Sequence, residues 1–336
     1  MFPHPRLVRR ARGLGVLFLG TAASACSDSN RASSAAADPA GDSSRASAIA
    51  NVRRDALRDA REAVPADTDD FGTPLPVDAR FADRVVSLNP AATEAIFAIG
   101  ADARLVGRSR WDQYPADVAR IPALGDGIRP AVETVLAARP TLVVLYATAE
   151  NRPVADALAR AGVRTIALRV DRIAQFHAQL RALGVALGAP DRAAAVSDSV
   201  QRTLERVRAL TAGLSARPTV VWPVWNTPPM VIGGGSYMDE LLEIAGARNV
   251  FHDAGQPSPS VSMEEIIARA PQFVVVSEKQ AATLGADDSW RALPAVQQRR
   301  FVRHDPAVTG RPSVVLGMAA VQLARAIHPS LADSLR

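Results

Sequence analysis

The sequence predicts an α/β protein of two similar lobes, each with a central, mostly parallel sheet, joined by one long rigid helix. Three observations predict it. Apolar strand-like runs alternate with amphipathic helical stretches, the pattern of parallel sheets built through helical crossovers. Two segments recur in the same order in the two halves. Between the halves lies a stretch with helical periodicity and no strand signal.

Residues 1–26 come first, with Arg6, Arg9, Arg10 and Arg12, the apolar run Leu14 to Leu19, and then Ala23-Ser24-Ala25-Cys26. A basic region, a short apolar region and small residues before a cut make a secretory signal. The apolar run is too short to span a bilayer. Cys26 is the only cysteine and follows the small residues directly, which resembles a bacterial lipobox and predicts lipidation there. Ala23-Ser24-Ala25 can also be cut by the ordinary signal peptidase, which would release a soluble protein. The expected location is the periplasm or cell surface, on a lipid anchor.

The signal changes the charge argument. It holds four arginines and no acids, so the remainder carries 35 basic and 34 acidic residues, close to neutral. Lys279 is the only lysine, and no arginine cluster forms a basic face, so nucleic acid is not an expected partner. Residues 27–80 are rich in Ser, Ala, Asp and Pro and read as a disordered tether. Such a chain spans roughly 40 Å root-mean-square. Asn51 to Val64 shows only a thin helical stripe.

The first lobe is expected over residues 81–189. Val85-Val86-Ser87-Leu88 reads as a buried strand, Asn89-Pro90 stops it, and Thr93-Glu94 opens a helix that Gly100 ends in a left-handed turn. Strands at Leu142 to Tyr146 and Thr165 to Leu168 follow, with helices at Ala155 to Ala161 and Ile173 to Leu187. Over residues 190–215 the pattern changes. Val196, Val200, Leu204, Val207, Leu210 and Leu214 mark one amphipathic helix from Asp191 to Leu214, about 36 Å long at 1.5 Å per residue.

The second lobe is expected over residues 216–336, with a strand from Thr219 to Trp225. Here the opening unit returns. Pro229 to Ile232, a glycine turn at Gly233-Gly234-Gly235 and a helix through Glu240 to Gly246 match the first lobe, with Glu94 and Glu240 each six residues before a glycine. The second match pairs Val132 to Val144 with Met263 to Val275, each a short helix, a proline and a buried strand. Glu133 and Glu264 sit at the same place in these two segments. The halves are Rossmann-like in pattern.

Together these features resemble the helical-backbone (class III) periplasmic binding proteins of ABC importers for cobalamin, ferric siderophores and haem. The carriers are Ser87-Leu88-Asn89-Pro90-Ala91-Ala92-Thr93-Glu94, Tyr114-Pro115, Glu133 and Glu264 with their proline runs, and the long helix. The likeness is nearest to the cobalamin-binding members and covers about residues 84–330. It implies a ligand cleft between the lobes, touched by Pro90, Ala91, Ala92, Trp111, Tyr146 and Asp305. Trp225 and Met230, on the strands before the glycine turn, complete the candidate cleft. Glu133 and Glu264 are implied as docking points for a permease dimer that carries ATPase subunits. Ser258 and Gly127 stand where pocket tryptophans of the cobalamin protein would be, and Thr309 stands where a basic residue would be.

The implied protein is a monomeric, lipid-anchored binder with no catalytic cofactor, whose ligand is a corrinoid. A ferric siderophore or haem is the alternative, with Arg108, Arg110, Arg129 and Arg311 as possible anchors for an anion. An α/β enzyme using the Gly233 turn for a nucleotide is the third reading. Against it, Met238 replaces the sixth-position glycine of the dinucleotide fingerprint, and no GK[ST], His-Glu-x-x-His or Gly-x-Ser-x-Gly motif occurs. His177, His252, His304 and His328 are too scattered for a close-spaced metal motif.

Overall fold

The structure, a computed structural model, describes residues 68–75 and 82–336. Cys26, the signal and most of the tether lie outside the described residues.

In the first lobe β1 (Val85–Ser87), β2 (Leu105–Arg108), β3 (Leu142–Tyr146) and β4 (Arg164–Leu168) form a parallel sheet in the order β2-β1-β3-β4. Both faces of such a sheet are covered, so its strands need apolar side chains on both sides. Val85 and Val144 accordingly face one core while Val86 and Val143 face another.

The second lobe repeats this with an insertion. β5 (Thr219–Val221) is followed by an antiparallel hairpin, β6 (Pro223–Asn226) and β7 (Pro229–Val231), and only then by the rest of the sheet. β8 (Arg248–Asn249), β9 (Phe273–Val276) and β10 (Phe301–Arg303) join β5 in the parallel order β10-β9-β5-β8. Strand for strand, β5 matches β1, β8 matches β2, β9 matches β3 and β10 matches β4. The single strand expected from Thr219 to Trp225 is therefore broken at Trp222, because Pro223 has no N–H to carry the ladder on. The run from Pro229 to Ile232 is a hairpin arm rather than the counterpart of β1; the match to the first lobe holds for the helix that follows.

The helices follow their local chemistry. The opening helix begins at Pro90 rather than Thr93 and runs to Ala98. Asn89 caps it by accepting from the Ala92 N–H at 3.3 Å, and Pro90 takes the first position, where no donor is needed. The equivalent helix Tyr237–Ile244 is capped by Ser236, which accepts from the Asp239 N–H. Gly100 and Gly246 both adopt left-handed φ, +65° and +81°.

The connecting helix spans Pro190–Ala212, 23 residues. Its buried stripe of Ala193, Val200, Leu204 and Val207 belongs to one continuous core with Ile96 and Phe176 of the first lobe and Leu241, Leu316 and Leu323 of the second. At its start it crosses the helix Ile173–Ala186 closely. A Cβ on Gly184 would lie 2.5 Å from the Ala193 Cβ, so only glycine fits. A shared core of this kind resists hinge motion between the lobes.

Residues 68–75, which composition assigned to the tether, pack along the edge of β4. The Asp69 carboxylate accepts from the Ala167 N–H at 2.8 Å and from its own turn at Phe71 and Thr73. The Arg152 guanidinium lies 4.1 Å over the Phe71 ring. This strap covers an otherwise open sheet edge.

Candidate functional site

A cavity of about 490 Å³ lies where the carboxyl ends of the two sheets face each other. This is where ligands sit in open α/β sheets. The first lobe brings its strand ends there: Leu88 to Ala91 after β1, Tyr146 at the end of β3, and Val170 and Asp171 after β4. The second lobe brings Val224, Ile232, Ser236 to Met238, and the loop Gly310 to Pro312 that follows β10.

Four of the expected contact residues line it: Pro90, Ala91, Trp111 and Tyr146. Four do not. Ala92 is fully buried in the core beside that wall, its N–H engaged by Asn89. Trp225 projects from the hairpin at 64% exposure and donates to the Thr227 carbonyl. Met230 lies in β7, bridged to Ser260, outside the cavity lining. Asp305 caps the short helix Pro306–Thr309 by accepting from the Ala307 N–H at 2.8 Å. The Asp305-Pro306 pair was itself a readable cap signal.

Gly127 and Ser258 do line the cavity. A Cβ at Gly127 would stand 2.6 Å from the Leu88 carbonyl oxygen, so no tryptophan fits that backbone. Asn151, which sequence reasoning missed, fixes this loop. It donates to the Gly127 and Tyr146 carbonyls and accepts from the Arg129 N–H. Trp111 is 57% exposed at the rim, held by its indole N–H donating to Asp126 at 3.0 Å. Tyr237, also missed, is buried and donates from its hydroxyl to the Thr309 carbonyl. Burial pushes the phenol groups of Tyr237 and Tyr146 up, so both stay neutral donors.

The charges are few. Asp126 and Asp171 line the cavity and are paired on their outer sides with Arg110 and Arg169. The Trp111 hydrogen bond, before the other contributions, holds the Asp126 carboxyl below the usual range. Among the described residues Arg311 is the only cationic side chain in the lining. Its guanidinium is paired with Glu94, donates to the Ala307 carbonyl and lies 4.0 Å over the Tyr114 ring. Ser313 donates to the second Glu94 oxygen at 2.7 Å. Arg108 faces inward to carbonyls of Val118, Ile121 and Ser109, and neither Arg110 nor Arg129 reaches the lining.

Away from the cavity, Glu133 and Glu264 are exposed in the first turns of the short helices Val132–Ala137 and Met263–Ala268. After each helix and its cap comes a residue of positive φ, Arg139 and Ala270, just before proline. Among the described residues no helix is long and apolar enough to cross a membrane, and no group of three or more His, Cys, Asp or Glu could hold a metal ion.

The chain is similar to known proteins in sequence and in fold. A vitamin B12-binding protein of Salmonella paratyphi A is 29% identical over 219 residues, 65% of this chain and 81% of that protein. The periplasmic haem-binding protein RhuT of Roseiflexus sp. RS-1, solved without ligand, superposes with a TM-score of 0.67 at 25% identity, covering 76% of this chain and 100% of that one. A periplasmic haem-binding protein of Pseudomonas aeruginosa gives 0.65 at 27% identity, with 74% and 93% covered. The family described as periplasmic binding protein matches residues 85–308, both sheets and the helix between them, and the chain belongs to that family.

Proposed function

We propose that the protein is the solute-binding component of an ABC importer, holding a corrinoid in the cleft between its lobes and handing it to a permease. The observation that carries this reading is the cavity itself. Its walls are aromatic and apolar, and its one cation is already neutralised by Glu94. A corrinoid presents a flat conjugated body to aromatic faces and a rim of neutral amides that can donate to Asp126 and Asp171. Haem, with two carboxylates, would meet two aspartates and no free arginine. It remains the second reading because haem-binding proteins at 25% and 27% identity share the fold. The reading is of a binder, not an enzyme.

Delivery rests on Glu133 and Glu264, equivalent in the two lobes and thus suited to a two-fold permease with its ATPase subunits. Retention at the membrane rests on Cys26, and Cys26→Ser should move the protein to the soluble fraction. Thermal-shift measurement against cobalamin, cobinamide, hemin and ferric siderophores tests the ligand class, since a ligand of the native state raises the melting temperature by mass action. The expected order puts the corrinoids first. A shift with none of the four would remove this reading.

A further inference from the structure

Arg311 projects from the second lobe into a socket made by the first. Glu94 takes its Nε, Tyr114 stacks beneath its plane, and Ala307 of its own lobe accepts from its terminal nitrogen. Only 18% of the Arg311 side chain and 5% of the Glu94 side chain are exposed. The second Glu94 oxygen is held by Ser313, so the carboxylate cannot swing away from the guanidinium without losing a further bond. A bidentate arginine would otherwise be the natural anchor for a ligand carboxylate. Here that role is taken by a protein carboxylate.

We propose that Glu94 sets the charge selectivity of the cleft. By occupying Arg311, it leaves the cavity with two aspartates and no available cation, which disfavours anionic chelates and admits neutral ones. This rests on the cleft being the ligand site, and it adds a residue outside the cavity lining as the selector. Glu94 is a positioning residue: it acts through Arg311 rather than by touching the ligand. The second lobe supplies an internal control. Glu240 holds Arg172 of the first lobe at 2.8 Å in an equivalent interlobe pair, but neither residue lines the cavity.

The experiment measures dissociation constants for cyanocobalamin and hemin at mildly alkaline pH in the full-length protein. Glu94→Gln keeps the side-chain shape and frees the arginine charge. The hemin-to-cobalamin affinity ratio should rise about tenfold or more. Glu240→Gln, which removes an interlobe pair without freeing a cavity cation, should leave the ratio unchanged. Glu94→Gln combined with Arg311→Gln should return it to the native value. An unchanged ratio in Glu94→Gln, an equal rise in Glu240→Gln, or a rise that survives loss of Arg311 would each overturn the proposal. Should Glu94→Gln fail to fold, Arg311→Gln alone decides: with Glu94 left uncovered, hemin affinity should fall further than cobalamin affinity, and an equal fall counts against the idea. If the native protein binds neither probe, the corrinoid reading fails separately. Hemin binding gained in Glu94→Gln would then still uphold the selector role, and none would sink it.

Discussion

Glu94 and Glu240 hold the same place in the two lobes, and each grips an arginine of the other lobe. Glu94 meets Arg311 and the Ser313 hydroxyl; Glu240 meets Arg172 and the Ile173 backbone N–H at 2.7 Å. The repeat therefore fastens the lobes to each other twice, in reciprocal fashion. The arginines differ. Arg311 forms part of the cavity wall, whereas Arg172 is 45% exposed and donates to the Gly234 carbonyl outside it. A near-symmetric framework thus encloses an asymmetric chamber. The asymmetry comes from the hairpin β6–β7 and the glycine turn, which only the second lobe carries between its central strand and its helix.

Where the lobes are alike, breaking both should have the largest effect. On the proposed docking role, Glu133→Arg with Glu264→Arg would turn two attractions to a permease into two repulsions, which can cost several kcal/mol. Uptake should be lost while ligand affinity and melting temperature stay near native, and single reversals should be intermediate and salt-dependent. Surviving uptake in the double variant would remove the docking role. Next come two tryptophans. Trp222, buried where the second lobe's strand breaks, should cost about 3–5 kcal/mol of stability on change to alanine. Trp111, exposed at the first lobe's rim, should leave the ligand-free melting temperature nearly unchanged but weaken ligand binding about tenfold, or about 1.4 kcal/mol. Calorimetric melting and titration separate the two, and a reversal of these outcomes would misplace the cleft.

The smallest effect is one the two glutamates share, and pH reads it. Burial pushes both carboxyls above the ordinary value of 4.5, in spite of their arginine partners. A group that holds its proton more tightly when folded contributes stability that is full below its unfolded value and is lost as pH rises through the folded one. The melting temperature of the native protein should therefore decline relative to Glu94→Gln, and to Glu240→Gln, as pH rises from about 4.5 toward neutrality. A relative gain over that window would contradict the account.

Much of the framework was legible because its chemistry is local. β3 matches its expected span, since five apolar residues in a row have few other fates. The backbone helix differs from its expected span by one residue at its start and two at its end. The hairpin was not legible, because Trp222-Pro223 reads as the middle of one apolar strand until the missing N–H is counted. The strap at residues 68–75 hid in a polar composition, although Asp69 makes its contacts through one buried carboxylate. The cleft was half legible. Trp111 and Tyr146 were marked by the likeness to the cobalamin-binding members and Arg311 as one of four candidate anchors, but Asp171 and Tyr237 join them only when two lobes close on one another. The recurrence of Glu94 and Glu240 was visible in the sequence; its meaning as a pair of reciprocal grips was not.

The most direct test of the account is a calorimetric titration of the protein with cyanocobalamin, beside hemin and a ferric siderophore. One saturable corrinoid site per chain is the expected result, with hemin and the siderophore weaker. Saturable binding of none of the three, in a protein that melts cooperatively, would contradict it.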